Sequence, residues 1–338
     1  MKKQSFSKKL RSIDTFAEGD IVQGFYLCVE KNLRYTKTKD LYIDIELRDI
    51  SGRINAKIWD NVAKHKEKFN SGDAIAASGV VECFKDLNYL RIKKINRATI
   101  QHYSRYGFDP SNIVPASKKD PNKMWGIISN TIVSLKNDTL KKLVGEIYKA
   151  NKKKLMYQPD SLEFSYNYRS GLLEHILSMV LIAKKICYLY DVDKDLVISG
   201  ILLIRIGKIK EINSSYIPEF TKEGKLIGHI ALGRDIVKEA TKKIKNFPLD
   251  LVYKIEHIIL SQDVTRFSKS QKSPSFPESL LVNKIKDLRA YFEKWNIREK
   301  TIEEINNSFS RANQILNGID FKRNHLMDLN NYLINRRY

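Results

Sequence analysis

Three histidines stand where their chemistry could matter: His175 in GLLEHILSM, His229 in KLIGHIALG and His257 in KIEHIILSQ, each amid apolar residues at helical spacing. One such imidazole is ordinarily a satisfied core or surface residue. Three on separate helices could converge on one ion, because neutral imidazole is a common metal ligand and facing helices can share a site. No spacing rule joins these three, so both readings stay open. Between the first two, the run Ile201-Leu202-Leu203-Ile204-Arg205-Ile206-Gly207-Lys208 sets a guanidinium inside an apolar stretch, two residues before a Gly-Lys pair. Glycine commonly follows a helix end, and cations near a helix C-terminus gain about 0.3–1 kcal/mol. Arg205 and Lys208 therefore read either as the trim of a helix ending at Gly207 or as charges turned into a pocket.

A second set joins aromatic rings to cations. In DLYIDIELRD, Leu41, Ile43, Ile45 and Leu47 face one way and Tyr42, Asp44, Glu46 and Arg48 the other. In INAKIWD, Ile54, Ala56 and Ile58 face in, while Asn55, Lys57 and Trp59 face out. NYLRIKKI adds Tyr89, Arg91 and Lys93 to the outer face. Rings interleaved with cations suit single-stranded nucleic acid: stacking contributes roughly 1–3 kcal/mol per base and the cations meet phosphates. Such contacts favour sequence-independent binding over base readout. The competing reading makes Trp59 a cap on the barrel edge, with Asp44 and Glu46 diluting the positive field.

The elements that position these residues follow from the same patterns. Residues 20–100 give three strands, a short polar helix ending at a Gly turn, then two strands, which is the five-stranded OB-fold order. Residues 101–120 carry two prolines and little periodicity and read as a linker. From 121 onward the spacing is helical, in stretches around 124–149, 171–190, 194–208, 224–244 and 248–262. The expected chain is α+β and multidomain: a basic segment 1–17, an OB-fold β-barrel 18–100, the linker, an all-α domain 121–300 and a helical extension 301–338.

Lys and Arg number 60 against 39 Asp and Glu, a net charge of +21 with pI near 9.6. Such an excess favours polyanions, nucleic acid first and an acidic membrane surface second; solvated lysines alone would be the plain alternative. Cys28, Cys83 and Cys187 are far apart and form neither a zinc spacing nor a CxxC pair, as expected of a reducing compartment. The start MKKQSFSKKLRSIDTF lacks the apolar core of a secretory signal, and no apolar run reaches the roughly 18 residues of a membrane span. A cytoplasmic protein without membrane contact is expected.

The blocks GLLEH, LLxxIGK, GKLIGHI and EHIILS occur in this order and resemble the HD domain of the YhaM-type 3′–5′ exoribonucleases, which carry an OB-fold ahead of that domain. GFYLCVEKNLRYTKTKDLYIDIELRDISGRINAKIWD, FNSGDAIAASGVVE and YGFDPSNIVPASKKDPNKMW resemble the family's N-terminal part, so the likeness covers roughly residues 18–290. It implies an HD-type metal-dependent phosphohydrolase domain. The departures fall on the ligands that it implies. The His-Asp pair that names the domain stands here as Ile204 and Arg205. A histidine pair after EHIILS is Gln262-Asp263, a late aspartate is Lys286, and an upstream pair that is often His-His is Ser165-Tyr166. Of the central ligands only His175 remains, with His229 and His257 as accessory histidines. A cation at an acid's position repels a metal, and without the metal there is no activated water for phosphodiester cleavage.

The leading expectation is a nucleic-acid-binding protein, for single-stranded RNA or DNA, on an exoribonuclease scaffold whose HD metal site is lost. No cofactor is expected, and His175, Arg205, Lys208, His229, His257 and Lys286 would form a vestigial pocket. If Arg205 turns inward it needs an anion, with Lys208 and Lys286 in support, or an internal acid, for which Glu174, Glu256 and Asp287 are candidates. The alternative is an active 3′–5′ exoribonuclease holding manganese or another divalent metal on His175, His229 and His257 with an acid such as Asp263 or Asp287. Self-association through broad helix faces, as a homo-oligomer, is a third reading.

Overall fold

The computed structural model describes residues 11–262 and 273–289. The chain divides into two compact units, Met1–Val282 and Asn283–Tyr338, and the barrel and eleven helices below belong to the first. The expected segment 301–338, most of 1–17, and Asp263 lie outside the described residues.

Strands β1 (Ile21–Tyr35), β2 (Leu41–Arg48), β3 (Arg53–Ile58), β4 (Ala74–Phe84) and β5 (Leu87–Arg97) close a barrel in the order β1-β2-β3-β5-β4, with helix α1 (Val62–His65) between β3 and β4. This is the OB-fold the alternation predicts. The long β1 makes closure possible. Its first half pairs with β4 and its second with β2, and the register shifts at Cys28/Glu30, where a bulge lets one strand serve two neighbours. The parallel pairing of Asn55, Ala56 and Lys57 with Tyr89, Leu90 and Arg91 shuts the other side. Ile43, Ile45, Leu47, Ile54, Ala56, Ile58, Leu90 and Ile92 fill the interior, as their alternation requires.

Segment 101–120 is more than a connector. It forms α2 (Ile100–Tyr103) and two short 3-10 turns, the second begun by Asp109, whose carboxylate accepts from Ser111 N–H. Phe108, Ile113 and Val114 are buried on Leu27, Ala74 and Ala98, with Phe25, Tyr103, Tyr216 and Ile217 around them. The Phe25 ring lies 5.0 Å from Phe108 and 5.8 Å from Tyr103. These anchors occupy turns, so no regular period exposes them in the sequence.

The helices are α3 (Pro121–Val133), α4 (Asp138–Ala150), α5 (Lys152–Tyr157), α6 (Gly171–Ile186), α7 (Lys194–Leu203), α8 (Lys208–Glu211), α9 (Lys222–Leu226), α10 (His229–Lys243) and α11 (Leu249–Leu260). The stretch expected around 124–149 is two helices, because the Asn137 side chain accepts from Thr139 and Leu140 N–H and starts a new one. The stretch 194–208 also breaks. Gly207 is not the left-handed residue past a helix end. Its φ is −64° and it opens α8. Among the described residues no helix is long and apolar enough to cross a membrane.

Gly79 in the barrel meets backbone where a side chain would be. At the register shift Ser78/Gly79, a Cβ on Gly79 would fall 2.1 Å from the Arg91 carbonyl oxygen. Gly79→Ala is expected to cost about 1–3 kcal/mol through forced backbone movement, read as a lower urea midpoint at unchanged slope.

Candidate functional site

The outer barrel face gathers most of its expected residues. Tyr42 on β2 and Trp59 just past β3 stack with centroids 4.5 Å apart and planes 27° from parallel. Lys57 Nζ lies 5.3 Å from the Tyr89 ring, 5.6 Å from Trp59 and 5.8 Å from Tyr42. Register explains the meeting: Lys57 is opposite Asp44 on one side and Arg91 on the other, and Asn55 is opposite Tyr89. Lys93 follows two residues along the same outer row. Arg48 does not join the cluster, since it sits at the far end of β2 opposite Arg53, six residues from Tyr42 or about 20 Å at strand rise. Trp59 is half-buried against Tyr42 and is not among the residues packed on the barrel core, as a cap on its edge would be.

The acids of this face are held by neighbouring cations. Asp44 pairs with Arg34 at 3.1 Å, Glu46 with Arg53 at 2.7 Å and Glu82 with Arg91 at 3.4 Å, while the Tyr89 hydroxyl donates to Glu82. Among the described residues no carboxylate lies within ion-pair distance of Lys57. Its charge stands among three rings, and the dilution expected from Asp44 and Glu46 is largely local.

In the helical region the histidines divide. His175 on α6 is buried, and its Nδ1 lies 3.0 Å from Asp160 Oδ2. Tyr166 stacks on its ring, centroids 4.6 Å apart and planes 7° from parallel. Arg205 meets the same carboxylate with two donors, Nε to Oδ1 at 3.0 Å and Nη2 to Oδ2, a bidentate fork. Beside it, Glu211 takes the Lys208 ammonium on Oε2, and on Oε1 the His229 backbone N–H at 3.0 Å and Nδ1 at 3.3 Å. The Glu211 carboxylate thereby caps α10, where negative charge is favoured. The Arg205 charge also bears on His229, so the two clusters adjoin. His257 is elsewhere engaged: its Nε2 lies 3.1 Å from both the backbone N–H and the hydroxyl of Ser275. Lys286 belongs to the second unit, where it pairs with Asp287 at 3.3 Å.

Arg205 and Lys208 are thus neither helix-end trim nor anchors held open for an anion; they are partners of buried acids. The acid of Arg205 is also not one of those expected. Glu174 is taken by Ser117 at 2.7 Å, Lys119 and Tyr168 both at 3.0 Å, and Glu256 by Arg234 at 3.2 Å. Asp160 comes from the loop YQPDSLEF, 45 residues before Arg205, with no periodicity to mark it. Glu211 did carry a signal, since it stands three residues after Lys208 in helical spacing. Gly207 makes the close fit possible. A Cβ there would lie 1.8 Å from the His229 carbonyl oxygen.

Electrostatics follow from burial and partners. Burial works to raise the Asp160 pKa, but the Arg205 charge, then that of His175 and hydrogen bonds from both, hold it well below the usual carboxylate range. Glu211 is likewise raised by burial and lowered more by His229 and Lys208, to about 2. Burial lowers His229, and the nearby cations add to this against the opposing pull of Glu211.

A metal of the kind the family resemblance implies does not fit these residues. The Nε2 atoms of His175 and His229 are buried without a hydrogen-bond partner among the described residues, which suits lone pairs left by Nδ1–H donation to acids. Yet both oxygens of Asp160 and of Glu211 are spent on cations and imidazoles. No group of three or more His, Cys, Asp or Glu among the described residues is placed to hold an ion.

Arg205→Met should leave the Asp160 charge buried and poorly compensated and cost about 3–5 kcal/mol, whereas adding Asp160→Leu should recover most of that loss; denaturant unfolding of the singles and the double measures the coupling. Acid should unfold the protein in stages. The folded-state pKa values of His229, Glu211 and Asp160 are all depressed, so each contribution is present above the unfolded value and lost below it. Stability should decline first below about pH 6.5 for His229, then more steeply below about pH 4.3 for the carboxylates. The midpoint in urea followed against pH gives the profile, and Glu211→Gln should flatten the lower stage.

Comparison with known proteins supplies the relationship. The chain is 26% identical over 267 residues to the Bacillus subtilis (strain 168) protein named 3′-5′ exoribonuclease YhaM, covering 78% of this chain and 82% of that one. Proteins of the same name from Shouchella clausii and Halalkalibacterium halodurans are each 24% identical, over 288 and 296 residues, covering 85% and 87% of this chain and 88% and 90% of theirs. No family model matches. Among solved structures, a replication protein A domain of Methanococcus maripaludis matches 26% of this chain and 92% of its own at 18% identity, with a TM-score of 0.23. Several relatives of one name, each 24–26% identical and aligned over about four fifths of the chain, make the YhaM-type 3′–5′ exoribonucleases the proteins to which this chain is similar.

Proposed function

We propose that the protein binds single-stranded nucleic acid, RNA or DNA, on the outer face of β2, β3 and β5, and that it does so on an exoribonuclease scaffold without metal-dependent cleavage. One observation carries the binding: Lys57 stands among the rings of Tyr42, Trp59 and Tyr89 with Arg91 beside it. A base can stack on the outer ring of such a cluster while its phosphate meets the cations, with little regard for base identity. The net charge of +21 would speed the encounter. The absence of cleavage is supported by Arg205 standing as a counter-ion to Asp160 where the family resemblance implies a metal-binding acid. The reading calls for no cofactor.

A second reading is an active 3′–5′ exoribonuclease, the activity named for the relatives, with manganese or a similar ion on a rearranged histidine site. It is favoured by the two unpartnered buried Nε2 atoms of His175 and His229. It needs at least one of the acids to leave its cation.

Binding of a labelled single strand across a salt series separates these claims from chance contact. Log affinity should fall against log salt with a slope of about −0.7 per phosphate neutralised. Trp59→Ala with Lys57→Ala should weaken binding by about 1–3 kcal/mol per lost base stack, and Lys242→Ala on α10 should change little. A flat salt response, or an unaffected double variant, would remove the barrel face from the proposal. Incubation of 3′-labelled RNA with the unmodified protein and manganese should leave it intact; degradation that His175→Ala abolishes would establish the second reading instead.

A further inference from the structure

Arg169, between α5 and α6, is fixed at its backbone and unspent at its tip. Its N–H donates to the Pro115 carbonyl at 2.9 Å and its carbonyl accepts from Ser117 N–H at 2.9 Å, a parallel bridge beside Ala116. The next residue, Ser170, donates to the Tyr157 carbonyl at 3.1 Å. From this tethered start the guanidinium reaches two rings, 4.3 Å from the centroid of Tyr157 and 5.5 Å from that of Tyr216. Burial lowers its pKa, with Tyr216, Tyr157 and Asp109 acting the other way. The Asp109 carboxylate is committed to Ser111 N–H at 2.9 Å. Among the described residues no oxygen accepts a hydrogen bond from the Arg169 guanidinium. A half-buried planar cation held against rings, with its fork of N–H donors unmet, suits the bidentate capture of a phosphate.

Its position in the fold says which phosphate. The outer row of β5 carries Tyr89, Arg91, Lys93, Lys94 and Asn96, while Arg97, opposite the buried Ile75, stands on the inward face at the barrel's mouth. The row starts at the aromatic cluster, where Arg91 is opposite Lys57. The strand ends at Arg97, which pairs with Asp73 at 3.0 Å, and both act on the Tyr216 hydroxyl. Tyr216 is also one of the rings packed where the barrel meets the helices. Arg91 to Arg97 spans about 20 Å at strand rise, and the Arg97–Asp73 pair there acts on Tyr216, the ring that Arg169 faces.

We propose that Arg169, held against Tyr157 and Tyr216, binds a backbone phosphate of the same single strand whose bases stack at Tyr42 and Trp59. The site extends the barrel's grip to the junction with the helices, and it rests on the barrel-face reading above. A short strand would occupy the aromatic cluster alone; a longer one would run along β5 and reach Arg169.

The test uses the full chain and two labelled single strands, about 4 and about 16 nucleotides long, the limits of one OB-fold site. Arg169→Gln should weaken the long strand roughly tenfold, reduce its salt slope by about 0.7 and leave the short strand unaffected. Trp59→Ala should weaken both. Arg169→Lys keeps the charge without the fork; it should preserve the slope while losing part of the long-strand affinity, and it carries the test if Arg169→Gln fails to fold by its thermal transition. A folded Arg169→Gln, or failing that Arg169→Lys, that binds the long strand as the unmodified protein does would reduce Arg169 to a cation–π staple. Trp59→Ala without effect on either strand would instead remove the barrel reading, while the long-strand difference at Arg169 would still be read by itself.

Discussion

A buried carboxylate cannot be left uncompensated, and the helical region is organised around two of them. Asp160 and Glu211 lie almost out of water, where an unpaired charge would cost several kcal/mol. Each is met by one fixed cation and one imidazole: Arg205 and His175 for the first, Lys208 and His229 for the second. The demand reaches far along the chain. It ties the loop before α6 to the break after α7, and α8 to the start of α10. It also requires Gly207, because the backbones that carry these side chains approach more closely than any Cβ would allow.

The barrel meets a different requirement. Its interior is satisfied by alternation, so its outer face is free to carry rings and charges without burial cost. Where the face bears acids, cations beside them hold them, and the positive charge that remains lies along β3 and β5. The junction with the helices is apolar and aromatic rather than ionic. Phe25, Phe108 and Tyr103 fill it, and Tyr216 carries the packing across to Arg169.

What was legible in the sequence followed periodicity. Leu41 to Leu47 and Ile54 to Ile58 disclose both the barrel interior and, by subtraction, the outward Tyr42, Lys57 and Trp59. The helical stretches disclose α6, α10 and α11 in the same way. Less legible was whatever depends on contacts between distant segments. Asp160 is an ordinary loop acid until the fold sets it against Arg205. Gly207 has the sequence look of a helix end, but its neighbour in space is His229, 22 residues on. Segment 101–120 hides its anchors in turns, where Phe108, Ile113 and Val114 share no period. Arg169 gave no signal, since neither Tyr157 nor Tyr216 is near it in sequence.

The ion pairs have a consequence for how the fold relates to its surroundings. A diffusible ion that neutralised Asp160 or Glu211 would stabilise the protein by an amount that rises with the logarithm of its free concentration, so stability would track supply. Here the counter-ions are covalently part of the chain. Their local concentration is fixed by tethering and does not fall when divalent metals become scarce. These two carboxylates therefore carry their own electrolyte, and their neutralisation draws on no diffusible ion.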